Sequence, residues 1–253
     1  MPHRGKNKRF STLRCAKAGG TQPKLSAACF TVHSCPADAD FVVFSNHCLI
    51  VKRFGKKTIF DRASATIQKG TIVGAIGANG VGKSVLFKMI SGIYRPNAGN
   101  IYVRGEKIGE MFDFPSNVGV FIDNPGFVPM FSGLYNLKLL ADIRGMITEA
   151  GIAAAMELVG LDPQNKTLAK NYSLGMKQKL GIAQAIMENQ DILLFDEPFN
   201  ALDGRSHLQM RELLREMRAN GKTGLLTSHN MDDIWSLCDL VYEIENYTLS
   251  LIK

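Results

Sequence analysis

Thr71-Ile72-Val73-Gly74-Ala75-Ile76-Gly77-Ala78-Asn79-Gly80-Val81-Gly82-Lys83-Ser84 is the stretch that decides the fold. Its first half is apolar and reads as a buried strand. Its second half matches GxxxxGK[ST], and Lys83–Ser91 reads as the helix that follows. A strand running through a glycine-rich turn into a helix is the context in which this motif cradles phosphate. The glycines let backbone N–H groups turn inward around phosphate oxygens. The helix start adds its positive end. Lys83 is expected to neutralise β- and γ-phosphates, and the Ser84 hydroxyl to ligate Mg²⁺. The expected nucleotide contacts are Gly77, Ala78, Asn79, Gly80, Val81, Gly82, Lys83, Ser84 and Val85.

Outward from this loop the chain alternates. Upstream, Phe41–Phe44, Cys48–Lys52, Ile59-Phe60 and Ala63–Ile67 are short strand-like pieces between turn residues. Downstream, Asn100–Val103 is another. Helical spacing then takes over: Leu134–Ile143, a stripe of Ile152, Ala155, Met156 and Val159, and a helix over Ser173–Asn189. Strands Ile192–Phe195 and Leu225–Thr227 are each followed by an amphipathic helix, and Leu240–Ile244 with Thr248–Ile252 closes as a hairpin. Alternating strands and helices predict an α/β chain with a mostly parallel sheet covered on both faces. The all-helical stretch at about 125–190 predicts a separate lobe.

Ile192–Phe195 ends in Asp196-Glu197. A phosphate loop needs a distant carboxylate at a neighbouring strand end to hold Mg²⁺, and Asp196 fits that role. Glu197 is expected to reach the attacking water as general base or orienter. Adjacent residues at a strand end point in different directions, so one acid can face the metal and the other the γ-phosphate.

Composition narrows the function. The chain has 253 residues, 45% hydrophobic and 21% charged, which excludes a wholly disordered or fibrous chain. Its net charge of +7 is carried by residues 1–37, which hold basic residues and no acid; Asp38 is the first. Residues 38–253 are formally neutral, so no nucleic-acid partner is expected. Residues 1–40 form a basic tail without periodicity, read as disordered or as a misplaced start in preference to a targeting peptide. The longest uncharged run, Asn124–Leu137, is broken by two prolines and two glycines, so no bilayer-crossing segment is expected. The five cysteines form no CxxC, which points to neither a metal site nor a disulfide framework.

Together these residues resemble the nucleotide-binding subunit of an ABC transporter. Tyr172-Ser173-Leu174-Gly175-Met176-Lys177-Gln178-Lys179 is similar to the family's signature, Asn200-Ala201-Leu202-Asp203 to the loop after the second acid, and Thr227-Ser228-His229 to its switch histidine. The resemblance covers residues 41–253. It implies a P-loop ATPase with a RecA-like core, an antiparallel β subdomain and a helical subdomain. It also implies Phe54 stacking on adenine, His229 assisting catalysis, Asp203 in a dimer loop, and Ser173 and Gly175 acting on ATP held by a second subunit in a head-to-tail dimer. Where the family keeps a glutamine before the helical lobe, this chain has Asp123 within Val120-Phe121-Ile122-Asp123-Asn124-Pro125; there Asp123 is a further candidate for Mg²⁺ or its water. That segment resembles the branch serving export of, or immunity to, peptide antibiotics. Leu174 and Met176 also depart from the usual signature. The implied function is Mg²⁺-dependent ATP hydrolysis that powers separate membrane-spanning subunits, with the motor at the cytoplasmic face of the membrane. The alternative is a soluble ABC ATPase outside transport, such as one for iron–sulfur assembly or DNA maintenance.

Overall fold

The computed structural model describes residues 42–44 (by their backbone), 49–110, 113–123 and 126–253. The basic tail at 1–40, with Phe41, Cys48, Asn124 and Pro125 among the residues named above, lies outside the described residues.

Strands β1 (Val42–Phe44), β2 (Ile50–Phe54), β3 (Lys57–Ala63) and β4 (Ala65–Ile67) precede β5 (Ile72–Ile76). The phosphate-loop stretch then opens α1 (Lys83–Ile90). Next come β6 (Tyr102–Val103), β7 (Glu106–Lys107) and β8 (Val118–Phe121). Three helices follow: α2 (Gly133–Arg144), α3 (Glu149–Leu158) and α4 (Leu174–Ile186), the last preceded by a short 3₁₀ turn at Ala169–Asn171. The chain continues through β9 (Ile192–Phe195), α5 (Gly204–Ala219), β10 (Thr223–Leu226), α6 (Met231–Leu237), β11 (Leu240–Glu245) and β12 (Thr248–Leu251).

The principal sheet has the order β12-β11-β5-β10-β9-β8. Strands β11, β5, β10, β9 and β8 run parallel, and β12 returns antiparallel at one edge. Strand β10 therefore sits between β5 and β9, although it follows both in the chain. A second, antiparallel sheet has the order β4-β1-β6-β7, and β2 and β3 pair as an antiparallel hairpin. The mixed α/β architecture with an antiparallel β part agrees with the expected fold class.

Strand β9 is buried at all four positions, because both faces of the sheet are covered. Its alternate residues feed two cores. Leu193 and Phe195 pack with Leu137, Met156, Leu180 and Leu214 from the helices on one face. Ile192 and Leu194 pack with Leu86, Phe87 and Ile90 of α1 and with Ile59 and Phe60 of the hairpin on the other. This period-2 split explains why β9 reads as an unbroken apolar run.

Five helices begin with side-chain caps: Ser132 Oγ accepts from Tyr135 N, Thr148 from Gly151 N, Ser173 from Met176 N, Asp203 from Ser206 N, and Asn230 from Asp232 N. Strand β8 is not among the strands that the sequence pattern predicts. It is short, and pairing with β9 rather than local pattern makes it a strand.

Candidate functional site

Strands β5, β10, β9 and β8 end on the same edge of the parallel sheet, so the segments that follow them converge there. The phosphate loop follows β5, Thr227-Ser228-His229 follows β10, Asp196-Glu197 follows β9, and Asp123 follows β8. One cavity of about 630 Å³ collects Lys83, Ser84, Asp123, Asp196, Glu197 and His229 along its wall.

Gly82 is required locally. Its φ is 127°, and a Cβ there would lie 2.7 Å from Ile59 Cγ2. Helix α1 has no side-chain cap at its start, so its first N–H groups remain available to an anion. Lys83 Nζ donates to Gly77 O at 2.7 Å, which folds the ammonium back over the loop it would share with phosphate.

The acid pair is held by Thr227, which is fully buried. The Thr227 hydroxyl donates to Asp196 Oδ1 at 2.7 Å and accepts from Glu197 N at 2.8 Å. Asp196 N also donates to Phe121 O at 2.8 Å, which ties the acid to β8. Glu197 adopts a left-handed φ of 55°. Its Oε2 accepts from His229 N at 3.0 Å. Its Oε1 is buried with no hydrogen-bond partner and lies 3.4 Å from His229 Nε2. Burial pushes the Glu197 carboxyl above the ordinary carboxylate range; the neighbouring His229, its N–H and Lys83 oppose this in part. Glu197 lines the cavity, and a carboxylate there with one oxygen lacking a hydrogen-bond donor is suited to take a proton from water.

The residues present fit a magnesium nucleotide. Mg²⁺ takes hard oxygen ligands and is held by one or two protein groups together with substrate phosphates. Ser84 and Asp196 offer a hydroxyl and a carboxylate on one cavity wall. Among the described residues no cluster of three or more His, Cys, Asp or Glu would hold a metal by itself. A Mg²⁺ held by Ser84 and Asp196 would take nucleotide phosphates as further ligands.

The remaining expected residues are placed less directly. Phe54 is exposed at the end of β2 and does not line the cavity. It meets Tyr94 edge to face with ring centroids 5.3 Å apart, and Lys52 Nζ lies 4.7 Å over its ring. Asp123 reaches the cavity wall, but its carboxylate pairs with Lys88 Nζ at 2.6 Å. Ser173 caps its own helix. Asp203 caps α5, and the bond from Ser206 N holds its carboxyl below the ordinary range. Sequence reading assigned no role to Thr227, Gln178 or Lys88. Gln178 Nε2 donates to Glu197 O at 2.8 Å, joining α4 to the acid pair. His207 bonds through Nε2 to the buried Asp233 at 3.0 Å.

A glycine-rich loop after the central strand, and two acids after a strand one place removed from it, define a P-loop nucleotide-hydrolysing protein. The family model described as ABC transporter matches residues 60–200. The chain is 39% identical over 197 residues to an uncharacterized ABC transporter ATP-binding protein, YybJ, of Bacillus subtilis, across 78% of this chain and 90% of the relative. It is 35% identical over 194 residues to the bacitracin transport ATP-binding protein BcrA of Enterococcus faecalis, across 76% of this chain and 63% of that longer relative. A solved dimeric ATP-binding cassette in a post-hydrolysis state with ADP and phosphate superposes with a TM-score of 0.75 at 19% identity, covering 84% of this chain and 98% of that one. The chain belongs to the ABC transporter family, as an ATP-binding, ATP-hydrolysing subunit.

Proposed function

We propose that this chain hydrolyses MgATP in the cavity between the phosphate loop and the Asp196-Glu197 turn, and that it drives a peptide-antibiotic transporter through separate membrane-spanning subunits. The observation that carries the reading is the convergence of Lys83, Ser84, Asp196, Glu197 and His229 on one cavity.

In this reading the loop from Gly77 to Val85 binds the triphosphate through backbone N–H groups, and Lys83 leaves Gly77 O to neutralise it. Ser84 and Asp196 would hold Mg²⁺, which would supply charge neutralisation at the phosphates. Thr227 orients Asp196 and Glu197 together. The Glu197 carboxylate accepts the proton of the attacking water, and the backbone N–H of His229 keeps that carboxylate oriented. Phe54 stands available for the adenine face.

Ser173, Gly175 and the Asp203 loop belong to a head-to-tail dimer that completes each site from a second subunit. The peptide cargo rests on the bacitracin relative's name and on Asp123 in the linker segment. Partnership with membrane subunits is supported by an exposed apolar stripe on α2: Tyr135, Leu139 and Ile143, continued by Met130 and Phe131. Among the described residues no helix is long and apolar enough to cross a membrane. In this reading the chain works at the cytoplasmic face of the membrane, bound to those subunits.

The test uses Glu197→Gln and Lys83→Ala. Glu197→Gln keeps shape and removes the base, so it binds MgATP, turns over at least about a hundredfold more slowly, and elutes as an ATP-dependent dimer. Lys83→Ala loses nucleotide binding. Wild-type turnover in Glu197→Gln defeats the assignment of the base.

A further inference from the structure

Asp123 and Lys88 meet at the boundary between two cavities. Lys88 lies on α1, the helix that begins at the phosphate loop, and Asp123 lies just past the end of β8 with a left-handed φ of 56°. The Lys88 Nζ–Asp123 Oδ2 distance is 2.6 Å. Asp123 lines the nucleotide cavity together with Lys83 and Ser84. Lys88 and Asp123 both line a second cavity of about 320 Å³, whose far wall includes Asn136 of α2 and Gln184 of α4. Asn136 in turn straps the approach to α2: its Oδ1 accepts from Val128 N at 2.7 Å and its amide donates to Val128 O at 3.2 Å. The hydrogen bond that Lys88 donates to Asp123 is the largest influence raising the Lys88 ammonium above its ordinary range.

An acid on the wall of a triphosphate site carries a cost that an amide does not, because like charges in a partly enclosed cavity repel strongly. A cation on the neighbouring helix removes that cost. We propose that Lys88 is a positioning residue whose ion pair neutralises Asp123 and holds the Asp123 turn against α1, so that the Asp123 carboxylate serves Lys88 and not the metal. The inference rests on reading the larger cavity as the ATP site. The pair is partly exposed, and such pairs contribute little to global stability. Its effect therefore belongs to binding and to local order.

The experiment uses the purified full chain and three variants: Lys88→Met, Asp123→Asn and the exchanged pair Lys88→Asp with Asp123→Lys. A fluorescent ATP analogue is titrated in EDTA and at graded Mg²⁺, and amide hydrogen exchange is followed over residues 118–123. Lys88→Met leaves an uncompensated charge, so it binds the analogue about tenfold more weakly with or without Mg²⁺. Asp123→Asn binds at least as tightly as the wild type, with an unchanged Mg²⁺ requirement. Both single variants exchange faster over residues 118–123, and the exchanged pair restores protection and affinity to within about threefold. A severalfold higher Mg²⁺ requirement in Asp123→Asn, with Lys88→Met behaving as wild type, would make Asp123 a metal ligand and overturn the proposal. Wild-type exchange in both single variants overturns it too. Failure of the wild type to bind the analogue defeats the ATP-site reading instead, and the exchange measurements still decide whether the pair holds the turn.

Discussion

Thr227 and Asp196 stand 31 residues apart in the chain, and a 2.7 Å hydrogen bond joins the Thr227 hydroxyl to Asp196 Oδ1 inside the protein. The bond exists because β10 lies directly beside β9, with Leu226 paired to Phe195, so the residues after both strands end level. The same hydroxyl accepts from Glu197 N, so one buried side chain sets the direction of both acids.

Thr227→Val keeps the shape of the side chain and removes both bonds. The expected result is a fall in kcat of about ten- to a hundredfold and a loss of about 1–3 kcal/mol in stability, since a buried acceptor and a buried donor lose their partner. Thr227→Ser should retain most of both. Steady-state ATPase assays and thermal melts check this, and an active Thr227→Val would remove the residue from the site's support.

The acidic limb of the pH profile reports Glu197. Its carboxyl is raised by burial, and a base must be ionised to take a proton. Activity should therefore begin to fall, as pH drops, at a pH above the ordinary carboxylate value of about 4.3. His229 lowers the Glu197 pKa, so residual turnover in His229→Ala should show its acidic limb moved to still higher pH. Measurement of kcat at saturating MgATP across pH 4.5–8 tests both statements. A limb that moves to lower pH in His229→Ala contradicts the electrostatics.

Gly175 has a reason to be glycine within its own subunit. A Cβ at this position would lie 2.7 Å from the Ala201 carbonyl oxygen of the same chain, in the loop that carries Asp203. Gly175→Ala should lower the melting temperature by about 2–6 °C without nucleotide, at concentrations where the protein is monomeric. An unchanged melting temperature would leave an intersubunit contact as the sole demand for glycine here. Gly175→Asp by itself is consequently a poor probe of a shared site, because it strains the monomer first.

Asp233 is fully buried and accepts from Arg211 Nη1 at 3.0 Å and from His207 Nε2 at 3.0 Å, both on α5. Ser228 Oγ, next to His229, reaches the same carboxylate at 3.4 Å. Asp233→Ala strips two partly buried partners and should destabilise the chain by about 2–3 kcal/mol, or roughly 4–12 °C in Tm. Asp233→Asn should cost less. Equal melting of Asp233→Ala and the wild type would show that the network carries no stability.

The phosphate loop and the acid pair were legible from local sequence alone. Gly77–Ser84 is contiguous, so its backbone preferences and its chemistry are written in one stretch. Ile192–Phe195 announces itself because burial on both faces demands an unbroken apolar run. Val118–Phe121 does not announce itself: it becomes a strand through partners on β9 distant in the chain. The family resemblance offers Phe54 for the adenine face, while its contact with Tyr94 is not legible in the sequence.

The sequence by itself determined which groups are present: a glycine-rich loop ending in Lys83-Ser84, two acids closing an apolar strand, and a histidine after another. These depend on residues near each other in the chain, where spacing and side-chain type suffice. Only the tertiary structure decided the strand order that sets β10 between β5 and β9, and with it the bridge from Thr227 to both acids. It likewise decided that Gln178 supports the Glu197 turn, that Gly175 faces Ala201 and that Asp123 meets Lys88. These contacts join segments far apart in sequence, and parallel pairing selects neighbours by packing across the whole sheet and not by any periodicity a single strand displays.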